Sequence, residues 1–301
     1  MKEQFIDWKP RGATVDLIEK ILEVLDQYEK MGYRLTLRQL YYQLVSRDFI
    51  SNNIKSYNMI GNIVSQARLA GIIDWDRIED RVRTPKTNTH WRDPQHILKA
   101  AADSYYLDRW EGQADYVEVW CEKDAVSNII LPVCRKWDVL FMANRGYSSQ
   151  SAMYDAYKRI YAKLDDGVKA HVIYLGDHDP SGMDMGNDIC TRLGLFIGKS
   201  KDMRFKNFDR IALTMEQIRK YDPPENPAKK TDSRYEKYSS RHGTSSWELD
   251  ALQPQILADL VEAAITKYLD PVVMEKVITR EGIQKARIKA LADTYKEEDH
   301  E

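Results

Sequence analysis

Three short apolar runs, each followed by a stretch of helical periodicity, constrain this chain more than any other feature. YVEVWC, VLFMA and HVIYLG read as strands. The stretches after them, about 125–137, 149–164 and 182–193, repeat apolar residues at helical spacing. RIALT is a fourth strand candidate. A strand–helix–strand order of this kind predicts a mostly parallel sheet buried by helices on both faces. The expected class is α/β.

The N-terminal third has a different rhythm. Residues 14–31 place Ile18, Ile21, Leu22 and Leu25 on one helical face. Thr36 is suited to cap a second helix through about Val45, with Leu37, Leu40, Tyr41, Leu44 and Val45 on its apolar face. A third helix over about 56–70 turns Ile60, Ile63, Val64 and Ala67 inward, and Gly71 stops it. Three short helices with tight turns predict a helix-turn-helix variant. Residues 71–83 are expected to form its wing and 84–94 a linker. The boundaries expected are 1–95 for a mostly α winged-helix domain and 96–301 for the sheet domain with C-terminal helices. Residues 217–247, rich in Pro, Lys, Arg, Ser and Tyr, lack periodicity and read as a long loop.

Composition narrows the classes. With 43% hydrophobic and 31% charged residues, the chain can bury a core. No apolar run approaches the roughly 18 residues that span a bilayer, and the N-terminus has no signal-peptide stretch. A cytoplasmic location is expected, nucleoid-associated in a prokaryote or virus. Cys121, Cys134 and Cys190 match no zinc spacing, and their odd number argues against a disulfide framework. They are expected to be small buried apolar residues.

The chemistry gathers where strands end. Glu122 closes the first strand, and Asp177 and Asp179 close the third within LGDHDPSG. Parallel sheets collect functional groups at the carboxyl ends of their strands. Residues two apart in extended chain share a face, so the two aspartates can converge with Glu122. Three carboxylates at one edge call for a hard divalent cation, Mg²⁺ or Mn²⁺. Such an ion suits phosphodiester chemistry. Asp-x-Asp alone is a weak signal, since turn aspartates are common. Pro180 and Gly182, which shape a sharp strand-to-helix exit, make it stronger.

This constellation resembles the Toprim domain of topoisomerases and related nucleases, and in particular the family of the topoisomerase VI A subunit and the meiotic double-strand-break transesterase. The matching residues are Glu122-Lys123-Asp124-Ala125-Val126 after the first strand, Gly146-Tyr147 after the second, Asp177, Asp179, Pro180 and Gly182 after the third, and WELDAL at 247–252. The resemblance spans roughly 30–265. It implies an N-terminal winged helix whose Arg-x-x-Tyr-Tyr run, here Arg38 to Tyr42, carries a nucleophile. By resemblance that nucleophile is Tyr42, with Arg38 its companion. Tyr42 falls off the apolar face of its predicted helix, one turn after Arg38. Tyrosines also simply fill gaps between helices, which is the plain alternative.

The implied activity is metal-dependent cleavage of double-stranded DNA, leaving a 5′-phosphotyrosyl link. Glu122, Asp177 and Asp179 would hold the metal, and Glu122 alternatively serves as acid or base for the 3′-oxygen. The resemblance further implies a homodimer in which one chain's tyrosine meets the other's Toprim domain, and an ATPase or condensin-like partner subunit. Little sequence precedes the first predicted helix, which favours the alternative of a hydrolytic Toprim nuclease of a mobile-element or defence system. A non-catalytic DNA-binding protein is the third reading, and the full acidic set argues against it. Candidate DNA contacts are Arg34, Lys55, Asn62 and Arg68 in the helical module, together with Lys123. Two basic clusters add Lys199, Lys201, Arg204 and Lys206, and Lys229, Lys230, Arg234, Lys237 and Arg241.

Overall fold

The computed structural model describes residues 2–78, 88–198 and 205–295 of the 301. Four strands form one sheet: β1 (Asp115–Cys121), β2 (Leu140–Ala143), β3 (Lys169–Leu175) and β4 (Phe208–Ala212). Their order is β2-β1-β3-β4, and every pairing is parallel. The expected α/β class with its parallel sheet is therefore observed. β1 and β3 are central. Cys121 pairs with both Ala143 and Leu175, so Glu122 and the run after Leu175 leave the sheet at the same edge.

Both faces are covered, which parallel strands require. On one face Val117, Val119, Cys121, Ile173 and Leu175 pack on α5 (Ser127–Lys136) and α10 (Pro254–Thr266) through Ile129, Ile130, Leu257 and Val261. On the other, Trp120, Val172 and Tyr174 meet α6 (Gln150–Asp165) and α7 (Pro180–Gly198) through Met153, Ile160, Ile189 and Leu193. Glu118 points into this second core with no exposure. Arg159 neutralises it with two 3.0 Å hydrogen bonds, and Tyr116 Oη and Trp120 Nε1 each donate to it at 2.8 Å. A buried carboxylate persists when paired and fully hydrogen-bonded. The three cysteines are buried, as expected.

The N-terminal module contains the three expected helices, α1 (Ala13–Lys30), α2 (Leu37–Ser46) and α3 (Ile54–Leu69). Thr36 and Gln39 form a reciprocal capping box on α2, and the Asn53 side chain caps α3. Ile21, Val24, Leu40, Leu44, Ile60 and Val64 form the core between them. The expected wing differs from what is described. Residues 71–78 make a 3-10 turn (Trp75–Arg77) and one isolated bridge, Leu35 to Ile78, with no strand pair. The rest of the wing, with Arg83, and the start of the expected linker lie outside the described residues. The linker gives way at Asp93 to an unforeseen helix, α4 (Pro94–Asp103), capped by the Asp93 side chain. α4 packs along α11 (Pro271–Thr294): Gln95 donates to the Ala292 carbonyl and Lys285 to that of Asp103.

The long loop expected over 217–247 is a correction. It contains α8 (Met215–Tyr221), β5 (Glu225–Pro227), α9 (Tyr235–His242) and β6 (Ser245–Trp247), with β5 and β6 antiparallel. Each element is too short to show periodicity. Tyr238, 4% exposed, anchors the excursion with a hydroxyl that lies within hydrogen-bond distance of the His178 and Ser245 carbonyls, at 2.9 and 3.0 Å.

Candidate active site at the carboxyl edge of the sheet

The edge is built on close backbone approach. Glu122 N–H donates to Leu175 O at 2.9 Å, extending the ladder one residue past β1. The Glu122 carboxylate then turns back, and its Oε2 accepts the Asp177 N–H at 2.9 Å. It lies over two glycines: a Cβ at Gly176 or Gly182 would fall 2.8 Å from this oxygen, and at Gly182 also 2.5 Å from the Asp177 carbonyl. Only glycine permits such an approach.

Asp177 is buried. Its Oδ1 accepts the Leu249 N–H at 2.8 Å, and its Oδ2 lies 2.8 Å from Lys123 Nζ. Asp179 caps α7, its Oδ1 accepting the Gly182 N–H at 2.6 Å, with Pro180 as the first helical residue. Behind these residues Arg210 of β4 donates to the carbonyls of Gly176 (2.9 Å), Asp177 (2.5 Å) and Gly182 (3.1 Å). It thereby fixes both ends of the turn that carries the aspartates.

Two further carboxylates complete the site. Glu248 and Asp250 flank Leu249 in a 3-10 turn (Leu249–Ala251) that follows β6. Ligand oxygens of Asp177, Glu248 and Asp250 lie within 4.8 Å of one another. The convergent trio thus differs from the expected Glu122, Asp177 and Asp179. Glu122 and Asp179 border it, each with one oxygen committed to a backbone amide. Lys123 Nζ sits among the three, contacting Glu248 and lying 3.2 Å from Asp250 Oδ1. Arg38 of α2 pairs with Glu248. Its Nε is 2.9 Å from Asp250 Oδ2, a charge contact rather than an aligned hydrogen bond.

The electrostatics follow. Burial pushes the Asp177 carboxyl up, and Glu122 and Asp250 add to this against the pull of Lys123. Burial also raises Glu122, with Asp179 contributing. Burial acts upward on Glu248 as well, but Lys123 and Arg38 outweigh it and hold that group well below the usual range. Five carboxylates (Glu122, Asp177, Asp179, Glu248, Asp250) face three cations (Lys123, Arg38, Arg210). The surplus of negative charge and the all-oxygen donor set fit a hard divalent cation. The buried Asp177 and Asp250 and the half-buried Glu248 could hold one once Lys123 yields its place.

The tyrosines separate. Tyr41 Oη donates to Asn52 Oδ1 at 2.9 Å. The Tyr42 hydroxyl has no hydrogen-bond partner among the described residues. Tyr42 was expected on the polar side of α2, yet it is only 5% exposed. The cause is tertiary: α2 packs against the 3-10 turn at 249–251 as well as against α1 and α3, so Gln39 and Gln43 are buried too. Arg38 lies 5.7 Å above the Tyr42 ring. Burial raises the phenol, as do Glu248 and Asp250, and Arg38 and Lys123 only partly offset them. Arg38 and Tyr42 therefore face the acidic cluster of their own chain.

The remaining candidates fall into two groups. Arg34, Lys55, Asn62, Lys229 and Lys230 are exposed, as are Lys206, Lys237 and Arg241. Arg68 is engaged internally, donating to the carbonyls of Trp75 and Ile78 and lying 4.8 Å over the Trp75 ring. Arg234 pairs with Asp184 (2.9 Å) and Asp232 (3.1 Å). Lys123, expected to touch DNA, is instead engaged by the site's carboxylates. Lys199, Lys201 and Arg204 lie outside the described residues.

Sequence reasoning noted WELDAL only as a likeness and missed that Glu248 and Asp250 belong to the site. Their i,i+2 spacing repeats that of Asp177 and Asp179, and this was the available signal. Arg210 carried none. Comparison with protein-family models and with curated proteins yields no match. Among the described residues no helix is long and apolar enough to cross a membrane.

Proposed function

We propose that this protein cleaves DNA strands in a divalent-metal-dependent reaction at the acidic edge of its sheet, in the manner of a topoisomerase VI A subunit. In this reading the N-terminal module is a winged helix and the sheet domain a Toprim domain. One observation carries the proposal: Glu122, Asp177, Asp179, Glu248 and Asp250 gather where β1 and β3 end, with fewer cations than carboxylates to neutralise them. Asp177, Glu248 and Asp250 would hold the ion, with Glu122 and Asp179 beside it. Bound there, Mg²⁺ or Mn²⁺ would supply charge stabilisation to the scissile phosphate.

The chain's own groups divide the remaining work. The Tyr42 oxygen attacks phosphorus and the bond to the 3′-oxygen breaks, leaving a 5′-phosphotyrosyl link and a 3′-hydroxyl. The phenolic proton passes to a neighbouring carboxylate. Glu122, raised by burial, is suited to protonate the departing 3′-oxygen. The docking of α2 through Arg38, which brings Tyr42 to the acidic cluster, supports this route.

A second reading, hydrolysis by water with no covalent intermediate, is favoured by the burial of Tyr42 and its raised phenol. Supercoiled plasmid incubated with Mg²⁺ or Mn²⁺, with and without protease before the gel, separates the two. Cut DNA that is held by protein until proteolysis, and lost in Tyr42→Phe, supports transesterification. Protease-independent cutting that survives Tyr42→Phe supports hydrolysis. No cutting with either metal would overturn the proposal. A homodimer, and any ATPase or condensin-like partner, belong to the same proposal, with Tyr42 acting at the cluster of its own chain rather than at its partner's.

A further inference from the structure

The outward face of α3 has a composition at odds with a merely solvated surface. Ile60, Val64 and Ala67 are buried, while Asn58, Asn62, Ser65 and Gln66 are exposed. Asn58, Asn62 and Gln66 follow one another at successive helical turns, and their side chains make no hydrogen bonds among the described residues. A face needed only for solubility would favour Lys and Glu, the better helix formers, over Asn. Here there is no charged residue from Tyr57 to Ala67. Across residues 49–73 there is also no Asp or Glu, in a chain with 47 acidic residues among 301. The stretch carries Lys55, exposed in the first turn of α3, and Arg68, which is tied to backbone carbonyls. This surface can approach a polyanion without repulsion, and it offers uncharged amides rather than point charges.

Primary amides suit base edges. Asn and Gln pair bidentately with adenine through its N6 and N7 in the major groove, which admits an α-helix. Phosphate contact, by contrast, is made mainly by Lys and Arg and carries no sequence information. At about 1.5 Å of rise per residue, Asn58 to Gln66 spans about 12 Å, or roughly three to four base pairs.

We propose that α3 reads DNA sequence, with Asn58, Asn62 and Gln66 contacting the base edges of a short adenine-containing site in the major groove and Lys55 contacting the adjoining phosphate. The inference rests on the DNA-cleaving reading and deepens it: target choice lies in α3, apart from the carboxylate edge.

The test uses the full chain without metal, so that nothing is cut, mixed with a library of randomised duplexes whose retained fraction is sequenced. The expected result is enrichment of a short motif containing adenine. Asn62→Ala should lower preference at one position by about tenfold, and Gln66→Ala at another. Both side chains are exposed, so folding, checked by circular dichroism, should be unaffected. Retention of duplex with no enriched motif would overturn the inference and leave DNA cleavage standing. A motif unchanged in Asn58→Ala, Asn62→Ala and Gln66→Ala would also overturn it, because another surface would then be the reader. Plasmid cutting without duplex retention would sink the inference alone, and the absence of both would sink it together with the cleavage reading.

Discussion

The Lys123 ammonium lies 2.8 Å from the Asp177 carboxylate and also reaches Glu248 and Asp250, so a lysine occupies the centre of the acidic trio. Lys123 follows Glu122 directly in sequence, so the end of β1 supplies both an acid and the counter-charge for its neighbours. This pairing makes the cluster tolerable within a folded protein, and a divalent ion must compete with it.

Removing the ammonium should therefore expose the repulsion. Lys123→Ala leaves the buried Asp177 without its ion-pair partner, and breaking a buried pair from one side costs about 3 kcal/mol. Chemical denaturation should show that loss. Added Mg²⁺ should restore more stability to this variant than to the wild type, because the ion takes the vacated position. Equal Mg²⁺ effects on the two proteins would place the metal elsewhere.

The pH dependence should have a sign that ordinary carboxylates lack. Burial holds Asp177 and Glu122 above their usual values, so the folded chain keeps protons that the unfolded chain has released. Their contribution to stability falls as pH rises from the ordinary carboxylate range toward the folded values. Glu248 acts in the opposite sense. Held low by Lys123 and Arg38 despite burial, it contributes above the ordinary glutamate range and loses that contribution as pH falls toward about 2. Thermal melts should show Mg²⁺ raising Tm more at about pH 8 than at about pH 5. A shift that does not change with pH would contradict this.

Glycine at 182 is a steric requirement. In Gly182→Ala the new methyl group meets the Asp177 carbonyl at 2.5 Å and Glu122 Oε2 at 2.8 Å, and backbone cannot yield as a flexible side chain would. A loss of roughly 1–3 kcal/mol is expected, together with loss of plasmid cutting. Gly282, inside α11 with nothing within 4 Å of an added Cβ, is the control. Gly282→Ala should stabilise by up to about 1 kcal/mol.

Arg210 is expected to be irreplaceable by lysine. Its guanidinium donates to three backbone carbonyls from one half-buried position, a geometry that a single ammonium cannot copy. Arg210→Lys and Arg210→Met should both lower stability by about 2–3 kcal/mol in urea denaturation. Retention of wild-type stability by Arg210→Lys would show that charge alone suffices.

Tyr42→Phe separates stability from chemistry. The hydroxyl has no partner among the described residues and its ring stays in place, so the folded state should change by less than about 1 kcal/mol. Any loss of covalent protein–DNA product in this variant then reports on the nucleophile rather than on folding. A large fall in stability would reveal a structural role for the hydroxyl.

By itself, the sequence determined the sheet and one side of the site. Strands rich in Val, Ile and aromatics, and buried on both faces, leave apolar runs that can be seen without coordinates, and the carboxylates at their ends mark the edge. The cap Thr36 acts within a few residues and was equally visible, whereas the Asn53 cap was not read from the sequence. Tertiary structure decided the rest, because the remaining groups meet only through long-range contact. Leu249 N–H donates to Asp177 across 72 positions, and this bond helps bring Glu248 and Asp250 into the site. Arg210 arrives from the neighbouring strand β4. The burial of Tyr42 depends on packing between α2 and the turn at 249–251, so helical periodicity alone placed it on the wrong side. Local pattern fixes which faces of a strand or helix are apolar; only chain closure fixes which distant charges must share a low-dielectric space.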